Sequence, residues 1–336
     1  MTTMRAWQWS TIDDKLETSL TLNDNVARPH KEDLRHDQLL VQVISAAINP
    51  VDYKLPESGW IGGLMIYGRP ATPGLDFCGR IVGKHESVTT LREDDLVFGA
   101  FASPNQFGTL AEFIIISTQE CTRLPDGVEI DQAAAVGCAA TTAFQSVPAS
   151  LINKPGVKVL INGGSGGVGT FAIQFAKALS AEVVTTCSAA NTQLCRDLGA
   201  DRVIDYTAED VTATLAREGC TFDLVIDNVC DPDFLDKRVA LLQKGGTFMQ
   251  VGVPTMNITN ILKSFGRMIL PGSYSYRFIQ MKNSSAFFSQ IGALMAEGRV
   301  RAVIGEQFDF EQVPQAYAKL RTGRARGKII IHVAKS

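Results

Sequence analysis

VKVLINGGSGGVGTFAIQFAKAL, residues 157–179, is the stretch that decides the fold. Its opening VKVLI is a short apolar, β-branched run bounded by turn residues, the pattern of a buried strand. Its second half places Val168, Phe171, Ala172, Phe175, Ala176 and Leu179 at helical spacing, one apolar stripe on one helix face. Between strand and helix, Gly164, Gly166 and Gly169 stand in G-x-G-x-x-G spacing. Three separate needs call for glycine there: a tight turn, close approach of backbone N–H groups to a pyrophosphate, and close contact of helix with strand. The pyrophosphate is expected at the helix N-terminus, where N–H groups lack partners and the dipole favours negative charge. A glycine triplet alone also fits a ligand-free turn, so the strand and helix around it carry the reading. Gly164, Ser165, Gly166, Gly167, Val168 and Gly169 are the expected contacts.

Outward from this stretch the texture differs on the two sides. Downstream, EVVTTC (182–187), RVIDY (202–206), DLVIDNV (223–229) and TFMQVGV (247–253) read as strands separated by helical text. That alternation means a parallel sheet with helices on both faces, a doubly wound Rossmann unit. Upstream, through about residue 126, QLLVQVISAAI, FCGRIVGKH, DLVFGAF and AEFIIIS are strand-like runs broken by turn residues, a β-rich module. After residue 273 come an amphipathic helix in SSAFFSQIGALMAEG and a last strand, GKIIIHV. The expected class is α/β, with a β-rich domain from 1–126 and 274–336 and a Rossmann domain over 127–273. At 336 residues the chain is long enough for two such cores.

The choice of dinucleotide falls about 20 residues further on, where NAD binders place an acid on the ribose. Here EVVTTCSAAN puts Ser188 in that place. A carboxylate would repel a 2'-phosphate, whereas Ser188, with Asn191 and Tyr206 nearby, offers hydrogen-bond donors. No Lys or Arg stands in this stretch, so the phosphate charge would need Arg324 or Arg326. Those belong to the basic run Arg321, Arg324, Arg326 and Lys328, which also reads as a solvated turn. NADPH is the expected cofactor, and a plain N-cap role for Ser188 would leave the choice open.

Bulk properties exclude several classes. The chain is 45% hydrophobic and 20% charged, an ordinary globular balance, and its net charge of -3 gives no attraction for nucleic acid. Seven cysteines without a Cys-x-x-Cys pair imply neither a disulfide framework nor a zinc knuckle. The opening MTTMRAWQWSTIDD lacks the pattern of a signal peptide, and no run of 18 apolar residues occurs, so a cytoplasmic protein without a membrane span is expected. His30, His36, His85 and His332 receive no role.

Six blocks then line up: AAINPVDYK (46–54), TPGLDFCGRIVG (72–83), AAAVGCAATTAF (133–144), GGSGGVG (163–169), LGADRVIDY (198–206) and ARGKIII (325–331). In these the chain resembles the zinc-free quinone oxidoreductases of the medium-chain dehydrogenase/reductase superfamily, in the branch that includes the chloroplast-envelope homologues. The resemblance spans nearly the whole chain. It implies a GroES-like catalytic domain, built from both ends of the chain, with the Rossmann domain inserted, and a homodimer as a frequent assembly. It also implies that no metal is bound. Zinc-dependent members take ligands from a Cys, a His and a second Cys or Asp, and here Asn49 and Leu75 replace the first two. Cys138 alone cannot hold an ion that needs three protein ligands, and reads as a packing residue.

Without a Lewis acid, the substrate must supply its own electron sink. An enone, enal or quinone does so, since hydride added at the β-carbon leaves an enolate that a few donors can hold. The resemblance places NPVDYK at the nicotinamide end of the active site, where Lys54 matches the lysine of related enoyl reductases. Lys54 is expected to attract the enolate oxygen and supply a proton, with Tyr53 as second candidate; the alternative is that Lys54 points to solvent and water is the acid. Asn49 and Thr142 match positions beside the nicotinamide and its ribose, and Gly252 and Val253 match the backbone at the carboxamide. Trp60, Phe101, Tyr274 and Tyr276 are candidates to line a pocket for a small apolar carbonyl compound, with packing as the alternative. The function expected is NADPH-dependent, zinc-independent reduction of an activated C=C bond or a quinone. A carbonyl reductase of saturated ketones or aldehydes, and a non-catalytic NADPH-binding protein, stay open as alternatives.

Overall fold

Short strands broken by turn residues open the chain. In the computed structural model, residues 2–334 are described except 60–61, 64–65, 67, 153, 231–238 and 253–273. Thr3–Gln8 (β1) pairs antiparallel with Thr21–Ala27 (β2). Gln38–Ile48 (β3), Asp76–Lys84 (β4), Leu96–Ala100 (β5), Phe113–Ser117 (β6) and Cys121–Arg123 (β7) follow. The strand β3 is buried along almost all of its length, as QLLVQVISAAI demands. It pairs β4 along one edge and β6 through Gln38–Gln42 on the other.

The middle of the chain forms the parallel sheet that the alternating text implies. Its strands are Lys158–Asn162 (β8), Glu182–Cys187 (β9), Arg202–Asp205 (β10), Phe222–Asp227 (β11), Leu242–Val251 (β12) and Ser275–Ile279 (β13). All neighbours pair parallel, in the order β10-β9-β8-β11-β12-β13. The order reverses between β8 and β11, the switch point beside which doubly wound sheets bind ligands. Leu160, Val184, Ile204, Leu215, Phe222, Val225 and Phe248 fill a core on this sheet.

The chain then returns to the first sheet with Ile304–Asp309 (β14) and Lys328–His332 (β15). That sheet has the order β14-β15-β3-β4-β5-β7, with Ile329–His332 of β15 antiparallel to Ser45–Ile48 of β3. By packing, the chain divides into Met1–Thr141 with Lys282–Ser336, and Thr142–Met281. These limits differ from the 126/127 and 273/274 boundaries that the texture of the sequence implies. The helix Ile130–Ala134 packs on β3, β4 and β5, and Ala133–Val136 are fully buried, so the segment after 126 belongs to the first unit. At the other end, β13 completes the parallel sheet. No helix among the described residues is long and apolar enough to cross a membrane.

Phe98 of β5 meets Phe288 of the helix Ser285–Ala296 edge-on, ring centroids 6.2 Å apart, and both are fully buried. This contact joins the returning segment to the N-terminal strands. Phe98→Ala should lower stability by about 3–5 kcal/mol, read from urea unfolding of the first unit; a loss under about 1 kcal/mol would show that this contact does not hold the return in place.

Candidate active site

In the second unit the glycine turn leaves β8 and enters the helix Gly167–Ala178. Packing within the chain dictates two of its glycines. A Cβ on Gly164 would lie 2.1 Å from Thr185 Oγ1, and one on Gly169 would lie 2.1 Å from the Gly163 carbonyl oxygen. Gly166 is different. Its φ of -80° suits any residue, and an added Cβ would meet only the Gly163 oxygen, at 3.6 Å. Nothing among the described residues requires glycine at 166, and its backbone is only partly buried. It lies at the head of a 12-residue helix, whose first N–H groups have no acceptor within the helix.

The turn is braced from β9. Thr186 Oγ1 accepts the Gly163 N–H (3.0 Å) and donates to Asn162 Oδ1 (2.7 Å), while the Thr186 carbonyl accepts the Gly164 N–H (2.9 Å). Asn162 Nδ2 in turn donates to Asp227 Oδ1 across the switch point (2.9 Å). Ser188 follows β9 and its hydroxyl accepts from Asn191 Nδ2 (3.3 Å). Tyr206 follows β10, donates its N–H to the Cys187 carbonyl (3.2 Å) and is 59% exposed. Gly163–Gly169, Ser188, Asn191 and Tyr206 thus share one edge of the parallel sheet. Asp205, which the sequence did not single out, stands at the same edge. Thr207, through its hydroxyl (2.7 Å) and its N–H (2.9 Å), holds that carboxyl below the usual range, and the Ala189 backbone adds to the effect.

Gly252 ends β12 with φ +77°, and its carbonyl accepts from Gln250 Nε2 (2.8 Å). Thr142 is buried, its carbonyl accepting the Ser146 hydroxyl (2.7 Å). Val253 and Trp60 lie outside the described residues. Tyr276 is a packing residue: it is buried, stacks on Phe248 and donates to Gln250 Oε1 (2.6 Å), and Tyr274 packs against the same core. Phe101 is buried in the first unit.

In the first unit, Asn49 caps the short helix Pro50–Lys54, and its backbone N–H donates to Asp52 Oδ2 (2.7 Å). The Asn49 side chain is engaged at both ends. Its Oδ1 accepts from Lys328 Nζ (2.5 Å) and its Nδ2 donates to Asp76 Oδ2 (2.9 Å). Lys328 Nζ also donates to Asp76 Oδ2 (3.0 Å) and to the Ile48 carbonyl (3.3 Å). Asp76 Oδ1 accepts the Cys138 N–H (2.7 Å). Of the two buried carboxylates here, Asp76 holds the ammonium. Asp52 Oδ2 accepts the Asn49 N–H (2.7 Å) and the Tyr317 hydroxyl (3.4 Å), and its Oδ1 has no hydrogen-bond partner among the described residues. Burial first, and then the charge of Asp76, push its carboxyl up to about 8 against the opposing bond from Asn49.

Tyr53 lies buried under the Arg321 guanidinium, whose carbon is 4.2 Å from the ring centroid. Arg321 is held by Glu17 (2.7 and 2.6 Å) and Glu57 (3.0 Å). Burial pushes the Tyr53 phenol up, which makes it a weaker proton donor than a free phenol. Lys54 is partly exposed and has no hydrogen-bond or ion-pair partner among the described residues. The basic run 321–328 is not one cluster: Arg321 and Lys328 turn inward to carboxylates, while Arg324 and Arg326 are exposed.

Both parts of the chain match known families. Residues 35–126 match the model of the alcohol dehydrogenase GroES-like domain, and residues 198–331 match that of a zinc-binding dehydrogenase. The chain is 41% identical over 345 aligned positions to the trans-enoyl reductase pgmF of Aspergillus terreus, covering 98% of this chain and 96% of that protein. It is 31% identical over 340 positions to the 2-methylene-furan-3-one reductase of Solanum lycopersicum, covering 98% and 79%. Among solved structures, the quinone oxidoreductase of Coxiella burnetii superposes with a TM-score of 0.84 at 27% identity, over 99% of this chain and 100% of that one. The zinc in the second family description does not fit the residues present. The Asn49 amide is committed to Lys328 and Asp76, Leu75 has no donor atom, and no three His, Cys, Asp or Glu side chains among the described residues cluster as metal ligands.

The state of Asp52 is testable through stability. In the unfolded chain its carboxyl titrates at about 3.9; in the fold it titrates at about 8. Between these values the native state keeps a proton that the unfolded state releases, so stability falls as pH rises through that window and levels off above it. Asp52→Asn abolishes this term. The wild-type unfolding free energy should decline relative to the variant's by a few kcal/mol between about pH 4 and about pH 8; parallel curves would show that Asp52 is ionised throughout.

Proposed function

This chain belongs to the enoyl and quinone reductase branch of the medium-chain dehydrogenase/reductase superfamily, and from that membership we propose that it is an NADPH-dependent reductase of the activated C=C bond of an α,β-unsaturated carbonyl compound or of a quinone. The observation that carries the cofactor half is Gly166, a glycine at the head of the helix that no close contact among the described residues demands, as a backbone approached by a pyrophosphate would be. Ser188 in place of an acid supports NADPH, with Asn191 and Tyr206 as further donors. A second reading, NADH, is favoured by the Asp205 carboxylate at the same edge. Gly252 and Val253, in this reading, meet the carboxamide, and Asn49 and Thr142 the nicotinamide and its ribose. The seven cysteines are free thiols, five of them buried, which suits a reducing compartment such as the cytosol.

When bound, the dinucleotide supplies the hydride. The relatives are named for an enoyl group, a methylene-furanone and a quinone, acceptors that delocalise the resulting negative charge onto oxygen without a metal. Lys54 is the proposed proton donor: its ammonium has no partner among the described residues, so in this reading it holds an enolate oxygen and protonates the α-carbon. Tyr53, clamped by Arg321, shapes the turn.

Purified protein should oxidise NADPH, with no metal added, in the presence of enones, enals or quinones, yielding saturated carbonyls or hydroquinones. Alcohols formed from saturated ketones would favour a carbonyl reductase, and tight binding without turnover a binding protein. Lys54→Ala should lower kcat about 100-fold or more with the dinucleotide Kd unchanged; an unaltered kcat would assign the proton to water. Ser188→Asp should shift the ratio of NADPH to NADH affinity at least about tenfold toward NADH, whereas an unmoved ratio would take Ser188 out of cofactor selection.

A further inference from the structure

Three segments far apart in sequence meet at one buried ion pair in the first unit. They are the end of β3 with the turn Asn49–Lys54, the start of β4 at Asp76, and the start of the helix Gly137–Ser146. Lys328, the first residue of β15, is their hub. Its ammonium, 3% exposed, has three N–H donors and three acceptors: Asn49 Oδ1, Asp76 Oδ2 and the Ile48 carbonyl. Asp76, fully buried, passes the connection on to the Cys138 N–H. Gly137 makes room for it, since a Cβ there would lie 2.3 Å from Asp76 Oδ1.

We propose that Lys328 is a positioning residue for the reduction, its buried ammonium holding the turn Asn49–Lys54 in the register that lets Lys54 act. The inference rests on the reductase reading given above. Lysine carries donors only, so it obliges Asn49 to present Oδ1 and leaves Nδ2 for Asp76. Bonded at both ends, the amide cannot flip, and the helix it caps is fixed at its first residue. The three positions that would carry zinc ligands in zinc-dependent relatives, Asn49, Leu75 and Cys138, lie on or beside these same segments. Because Lys328 comes from the last strand, it adds a long-range tie to the local Asn49–Asp52 cap of the turn.

Three variants test this: Lys328→Met, Lys328→Arg, and Lys328→Met combined with Asp76→Asn. Lys328→Met should lower kcat at least about tenfold while the KM for the dinucleotide stays within about twofold, the signature of an interaction used in turnover and not in binding. Lys328→Arg should restore about a third or more of the wild-type kcat, since a guanidinium keeps the charge and the donors. The double variant removes both charges, so it should regain thermal stability without regaining kcat. Hydrogen exchange gives a readout that needs no substrate: the Asn49 and Cys138 amides should lose protection in Lys328→Met. If the wild type reduced no acceptor, the reductase reading would fall, and exchange would still decide whether Lys328 holds the turn. A near-normal kcat in Lys328→Met, a kcat that recovers together with stability in the double variant, or unchanged amide protection would overturn the inference.

Discussion

The Lys328 ammonium sits where water does not reach, and a charge in such a place is tolerable only when its donors all find acceptors. Much of the first unit follows from that demand. Asp76 must be an acid, Asn49 must turn its oxygen inward, and residue 137 must lack a side chain. The same demand decides the fate of Asp52. With the one cation already bonded to Asp76 and Asn49, the second buried carboxyl makes no ion pair, and burial and the charge of Asp76 push it up to about 8. A polar core of this kind is stiff because each member fixes the next.

The second unit reaches stiffness with neutral groups. Thr186 is both acceptor and donor, and through it the glycine turn, β8 and β9 form one braced corner. Thr185 and the Gly163 carbonyl occupy the space that side chains on Gly164 and Gly169 would take. Against that crowded background Gly166 stands out, with no close contact among the described residues. A corner that is rigid everywhere except where it is bare is preorganised for something it does not itself contain.

Local physics was legible in the sequence. The run 157–179 reads as strand, turn and helix and is found as β8, a glycine turn and the helix Gly167–Ala178, because each step depends on neighbours a few residues away. The ion-pair hub was not legible, since Lys328 reaches partners 252, 279 and 280 residues earlier in the chain. Composition grouped Lys328 and Arg321 with Arg324 and Arg326, and only the fold shows that two point inward. The boundary near 126 differs from the packing division for a related reason: AAAVGCAATTAF is a run of small residues whose period does not say which sheet it covers. Asp52 did carry a signal, an acid at the third helical position after an Asn cap. That spacing announces a bond to the Asn49 N–H, but not a buried acid that keeps its proton.

The return of β15 to the side of β3 has a consequence for how the chain is made. Ribosomes deliver residues in order, so the parallel sheet of 158–279 has all its strands before residue 282 exists. The first sheet does not. While the nascent chain waits for residues 328–332, the Ser45–Ile48 edge of β3 has no neighbour and Asp76 no cation. An uncovered strand edge and an unpaired buried acid both recruit wrong partners. The half of the molecule synthesised first is therefore the half completed last, and any truncation or stalling near the C-terminus falls on the N-terminal unit.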